Sequence, residues 1–190
     1  MPLPQTPFYM IRHGESTANL AQYASGHIDV ELTETGIAQA YSAKQVAQTL
    51  VIKPTIIVHS HLQRARNTAR IINEALGLEM IEDPQIAEQN FGDWEGMHWD
   101  LTRQPIRDGM DPPNGESHKN FHERVKAVVT KYVNTHPAPV MFVCHGGVFR
   151  AIGALYGHNM TGIQNCALHH FEPDMDQAAI AFPWKVKKFA

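Results

Sequence analysis

The first apolar run of the chain, Phe8-Tyr-Met-Ile11, stops abruptly at Arg12-His13-Gly14-Glu15. A second, Thr55-Ile-Ile-Val-His59, stops at Ser60, and Arg64 follows one helical turn later. A third, Val140-Met-Phe-Val-Cys144, runs into His145-Gly146-Gly147. Arginine offers a planar fork of donors that matches two phosphoryl oxygens at once, and backbone N–H groups at helix starts add more. Gly14 and the Gly146-Gly147 pair allow the backbone to come close to a ligand. If the three runs are parallel neighbours, their ends gather two arginines and two histidines around one crevice, and phosphate suits that gathering best. His13 is the candidate nucleophile, because a neutral imidazole nitrogen attacks phosphorus once its other nitrogen is held by an acceptor. A leaving oxygen needs a proton donor. Glu88, opening Glu88-Gln-Asn-Phe-Gly-Asp-Trp-Glu-Gly96, is the first candidate, with Glu95 and Asp93 as rivals that composition leaves open.

Other chemistries fit less well. Neither GxxxxGK[ST] nor GxGxxG occurs, which argues against a nucleotide fold of those kinds. The chain has 12 histidines, yet His59 with His61 and His169 with His170 lack further ligands at a recognised spacing, and HExxH is absent. No metal and no cofactor are expected. Sixteen basic against 19 acidic side chains provide no whole-surface attraction to nucleic acid or anionic membrane. Phe91, Trp94 and Trp99 have no basic groove around them, so they read as loop anchors or pocket lining rather than a base-stacking platform. Cys144 and Cys166, both in apolar stretches, read as buried free thiols and point to the cytoplasm. Residues 1–7 carry no basic side chain, and no apolar run approaches the roughly 20 residues needed to cross a bilayer. Neither a leader nor a membrane span is expected.

The elements that must hold these residues alternate. Thr33 caps a helix whose apolar face reads Ile37, Ala40, Tyr41, Ala47 and Leu50, interrupted by Lys44. Ser60 and Gln63 fit a capping box ahead of Leu62, Ala65, Ala69, Ile72 and Leu76, and Gly77 stops that helix. Glu79–Ile81 reads as a weak edge strand, and Pro84–Ser117 as an irregular binding loop or lid. Phe121, Val125, Val128 and Tyr132 mark another helix, as do Val148, Ile152 and Leu155 after the third strand. Ala167–Phe171 and Ala178–Phe182 look like further strands, and Lys185–Lys188 like a solvated tail. The expectation is an α/β fold: residues 1–190 as a single three-layer α/β/α domain on a mainly parallel sheet.

Four stretches in register, MIRHGESTAN (Met10–Asn19), SHLQRARNTA (Ser60–Ala69), EQNFGDWEG (Glu88–Gly96) and VCHGGVFRAI (Val143–Ile152), resemble the histidine phosphatase superfamily, also called the cofactor-dependent phosphoglycerate mutase-like family. GHIDVELTETG (Gly26–Gly36) and NGESHKNFHERV (Asn114–Val125) add weaker support. The resemblance implies a phosphoglycerate mutase-like fold, a phosphohistidine formed on His13, and Arg12, Arg64 and His145 clamping the phosphoryl group. It implies Glu88 as proton donor, and Ser16 and Asn19 as contacts to phosphate or substrate. It also implies a phosphoric monoester hydrolase of histidine acid phosphatase type, or a mutase.

The mutase pattern resembles tryptophans where this chain has Ala18 and His27, and Phe91-Gly-Asp-Trp-Glu-Gly96 resembles the phosphatase branch. The expected activity is therefore metal-independent hydrolysis of a small phosphorylated metabolite. Mutase-type transfer between hydroxyls and a non-catalytic phosphate- or phosphoprotein-binding module are the alternatives. Selectivity is expected from Gly26-His27 and from Asp100 to His122, a wall of mixed charge that leaves the leaving group open. The sequence sets no oligomeric state.

Overall fold

In a computed structural model that describes residues 2–174 and 182–189, six strands form one sheet in the order β3-β2-β4-β1-β5-β6. The strands are β1 (Phe8–Arg12), β2 (Ile56–His59), β3 (Met80–Glu82), β4 (Val140–Cys144), β5 (Leu168–Pro173) and β6 (Trp184–Phe189). The first four run parallel, while β5 is antiparallel to β1 and to β6. Side chains alternate across each strand and so divide the core in two. Phe8, Met10, Val58 and Phe142 pack against α5 (His118–Thr135) and α6 (Gly146–Ala154). Tyr9, Ile11, Ile57, Met141 and Val143 pack against α2 (Glu34–Thr49) and α3 (Gln63–Leu76). This is the expected α/β architecture of helices on both faces of a mostly parallel sheet, with central strands buried along their whole length.

Several local expectations change. The buried face of α2 is Gly36, Ala40, Ala43 and Ala47, whereas Ile37 and Tyr41 point outward at 41 % and 46 % exposure. Small residues face inward because α2 lies along α3, and Lys44 reaches across to Glu74 at 2.7 Å. Thr33 caps α2 as expected, accepting from the Gly36 amide. The Ser60–Gln63 capping box does not form. Helix α3 begins after Leu62, Ser60 Oγ accepts from the Leu62 amide, and the Gln63 amide donates to Asp29 instead. Gly77 does end α3, in the left-handed region at φ +62°.

The stretch expected to be irregular holds a helix, α4 (Trp99–Arg107), which carries Pro105 inside it, and two 3₁₀ turns at Pro84–Ile86 and Gly92–Trp94. A one-turn helix, α1 (Thr17–Leu20), follows β1; Ser16 caps it and exchanges a capping box with Asn19. The lysine tail is strand β6: its lysines face solvent while Trp184 is buried at the strand's start. The expected strand at Ala178–Phe182 falls on residues 175–181, outside the described residues, apart from buried Phe182. Cys144 and Cys166 are buried free thiols; burial pushes the Cys166 thiol up to about 12. No helix among the described residues is long and apolar enough to cross a membrane.

Candidate active site

The register of the parallel strands brings their carboxyl ends level. Arg12 lies opposite Cys144 and His59 opposite Val143, so His13 and His145 leave adjacent strands side by side, ring centroids 5.1 Å apart. The His13 amide donates to the Cys144 carbonyl at 3.0 Å, which ties the two strand ends together. His13 Nδ1 lies 2.7 Å from the Gly14 carbonyl, which can only accept, so the proton sits on Nδ1 and the lone pair on Nε2. The ring is 4 % exposed, and burial, then Arg64, then Arg12, hold its pKa well below 6.5. A neutral imidazole with a free Nε2 is the nucleophilic form.

His145 is wholly buried, and neither ring nitrogen has a hydrogen-bond partner among the described residues. It stands at the N-cap of α6 without capping it. Burial first, and then Arg64 and His13, push its pKa well down. Arg64 is 1 % exposed and uses two of its five N–H groups on the carbonyls of Ile28 (2.9 Å) and Gly26 (2.8 Å). Arg12 uses one on the carbonyl of Ile163 (2.8 Å), and the Nε of both arginines is buried and unpartnered. Burial lowers both guanidinium pKa values and Glu88 opposes that, but an arginine stays charged. Buried cationic N–H groups and a buried unpaired imidazole together call for an anion with several acceptor oxygens.

Glu88 lies close enough to this centre to act electrostatically on Arg12 and Arg64. Its Oε2 accepts from the Gly147 amide at 2.9 Å and its Oε1 from the Gln89 amide at 3.0 Å. Its rivals are engaged in the loop: Glu95 Oε1 accepts from the amides of His27 and Phe91, and Asp93 accepts from Asn114. Ser16 is fully buried, and its hydroxyl accepts from the Asn19 amide in the α1 cap. Asn19 is half-buried, and its Oδ1 accepts from the Ser16 amide (3.2 Å) and from Asn165 Nδ2 (3.3 Å). The wall residues Asp100, Arg103, Arg107, Asp108 and Asp111 are all exposed, and Phe91 packs edge-on against Trp99 as a loop anchor.

Sequence reasoning missed the supports. Thr68 Oγ1 accepts from the Gly14 amide at 3.0 Å and donates to the Arg64 carbonyl at 2.7 Å, coupling the turn after His13 to the helix that carries Arg64. Arg124 forms a two-pronged pair with Glu116 and donates to the carbonyls of Gln85, Ala87 and Glu88. His27 donates Nε2–H to the Glu88 carbonyl at 2.8 Å. Thr68 lies within the Ser60–Ala69 stretch, but nothing there marks it as a partner of the Gly14 amide, and Asn165 lies in no motif stretch at all. No group of three or more His, Cys, Asp or Glu side chains among the described residues is arranged to hold a metal ion.

A neutral histidine beside buried arginines, with a carboxylate nearby, at the carboxyl ends of a mostly parallel sheet, defines a phosphoryl-handling α/β protein. The family model of the histidine phosphatase superfamily (branch 1) matches residues 8–182, and the chain belongs to that superfamily. A 2,3-bisphosphoglycerate-dependent phosphoglycerate mutase of Bartonella tribocorum is 33 % identical to it, over 75 % of this chain and 77 % of that one. A glucosyl-3-phosphoglycerate phosphatase of Mycobacterium tuberculosis is 32 % identical, over 76 % and 72 %. A solved mycobacterial glucosyl-3-phosphoglycerate phosphatase, in complex with VO3, superposes with a TM-score of 0.80 at 26 % identity, covering 97 % of this chain and 98 % of that one. The relatives thus include both phosphatases and mutases, and they support a phosphatase enzyme acting on phosphorylated substrates.

Proposed function

We propose that the protein is a phosphomonoesterase that hydrolyses a small phosphorylated metabolite through a phosphohistidine on His13. The observation that carries this reading is the combination of a neutral His13, with its proton on Nδ1, and the unpartnered buried nitrogens of Arg12, Arg64 and His145. In the first step His13 Nε2 attacks phosphorus, the P–N bond forms and the P–O bond to the leaving group breaks. Arg12, Arg64 and His145 hold the equatorial oxygens, where charge is spread in the transition state. Glu88 gives its proton to the departing oxygen. In the second step water attacks the phosphohistidine, Glu88 takes the water's proton, and His13 returns with phosphate as product. Asn19 adds a donor to the phosphoryl group through its Nδ2.

The Bartonella relative favours a second reading, transfer to another hydroxyl instead of to water. Both readings share the first step and differ in the acceptor. The test is phosphate release from a panel of phosphomonoesters in chelator, with wild type beside His13→Ala, and with phosphoglycerate interconversion assayed in parallel. Release that survives chelation and disappears in His13→Ala supports hydrolysis. Interconversion without net release selects the mutase. Release that persists in a folded His13→Ala protein overturns the phosphohistidine mechanism, and phosphate binding with neither activity points to a binding module.

A further inference from the structure

The loop before β5 takes part in no expected chemistry, yet three of its residues grip the site from behind. The Ile163 carbonyl accepts from Arg12 Nη1, the Cys166 amide donates to the Arg12 carbonyl at 2.9 Å, and Cys166 holds the left-handed backbone at φ +56°. Between them, Asn165 Nδ2 lies 2.7 Å from the His13 carbonyl and 3.3 Å from Asn19 Oδ1. Both partners only accept, so the side-chain amide must present nitrogen to them and spends both of its protons there.

We propose that Asn165 is a positioning residue, which anchors the peptide of His13 and orients the Asn19 amide so that its NH2 is turned to the phosphoryl group. Asn19 Oδ1 is saturated by Ser16 N and Asn165 Nδ2, and Asn19 Nδ2 donates to nothing among the described residues. Without Asn165 only the Ser16 amide would hold that oxygen, and each time the Asn19 amide turned over it would offer phosphate an oxygen, which repels a phosphoryl group. The proposal rests on the phosphohistidine reading above.

Its test is a double-mutant cycle on an aryl phosphomonoester, with inorganic phosphate as competitive inhibitor. Asn165→Ala is expected to lower kcat/KM about tenfold, the scale of one lost hydrogen bond to a reacting assembly, and to weaken phosphate inhibition. Asn165→Asp is expected to lower it further, since the isosteric carboxylate faces two acceptor oxygens and turns the Asn19 amide over. In an Asn19→Ala background the share of both losses that runs through Asn19 should vanish, leaving only what the bond to the His13 carbonyl contributes. A residue that merely supported the fold would lower the melting temperature and cost the same in either background. Equal losses in the two backgrounds, or wild-type kinetics in Asn165→Asp, overturn the proposal while His13→Ala remains inactive. Turnover by a folded His13→Ala protein overturns the underlying reading and this proposal with it. Should Asn165→Ala fail to fold, the isosteric aspartate carries the cycle alone.

Discussion

The Glu88 carboxylate occupies the space that a side chain at Gly147 would fill: a Cβ there would stand 1.8 Å from Glu88 Oε1, while the Gly147 amide donates to Oε2. The glycine therefore makes room for a protein carboxylate as well as presenting an N–H group to it. Gly147→Ala lies within α6, where alanine is a good helix former, and the obstructing atom is the end of a flexible chain. The expected outcome is a folded protein with a displaced Glu88. Its turnover should fall by about 10²-fold or more, the ordinary contribution of a positioned acid. Glu88→Gln should match it, and for both the loss should grow as the leaving group becomes more basic. A rate series over substituted aryl phosphates checks this; a uniform loss across the series would sink the assignment of Glu88.

Gly36 belongs to α2 and carries no side chain, yet Gly36→Ala is expected to slow the chemistry. A Cβ at Gly36 would lie 2.0 Å from the Glu15 carbonyl, and one at Gly14 would lie 2.4 Å from the Gly36 carbonyl. Main chain cannot swing aside as a side chain does, so the turn after β1 must shift and carry His13 with it. A displacement near 1 Å costs about 10²-fold in kcat. Kinetics compared with the melting temperature would separate this from simple unfolding.

The depressed pKa values of His13 and His145 have a definite sign in stability. Unfolding frees both rings to bind protons at the ordinary value of 6.5, which the folded protein resists. The stabilisation is full above that value and is lost as pH falls from it toward the lowered folded values. Thermal midpoints should drop between about pH 7 and pH 5, and the drop should flatten in His145→Gln. The same depression keeps His13 unprotonated in mild acid. kcat/KM, corrected for the ester's second ionisation near about 6, should show no His13 limb at the ordinary histidine pKa.

Arg124→Ala is expected to destabilise the protein by on the order of 2–4 kcal/mol, because it leaves Glu116 without its counter-ion and takes a donor from three loop carbonyls in a largely buried setting. Arg124→Lys should restore little, since an ammonium cannot reproduce the fork. Urea unfolding measures the first effect. A parallel loss of kcat in the lysine variant would report the slackened Glu88 segment.

The residues placed where a strand stops were legible in the sequence, because a short apolar run ending in Arg-His-Gly announces both the strand and its polar tip. What failed was whatever depends on a distant neighbour. Ile37 and Tyr41 look like the inner face of α2 until α3 is set beside it and only alanines fit. Ser60 looks like a cap until Asp29, from another loop, takes the Gln63 amide. Helix α4 was hidden by Pro105 and by its charges, and β6 by three exposed lysines that read as a solvated tail until Trp184 is seen buried at the strand's start. Asn165 meets His13 across 152 residues, and no local pattern foretells such a contact.

The place of β4 between β2 and β1 also sets a timetable. It is the last of the four parallel strands to emerge from a ribosome, yet it is the one that the two earlier halves of the sheet must both grip. Until it slides between them, β1 with His13 and β2 with the Arg64-bearing helix have no shared wall. A nascent chain stopped short of Cys144 would carry both residues with nothing to hold them side by side. Assembly in that order ties the meeting of His13 and Arg64 to the closing of the sheet between them.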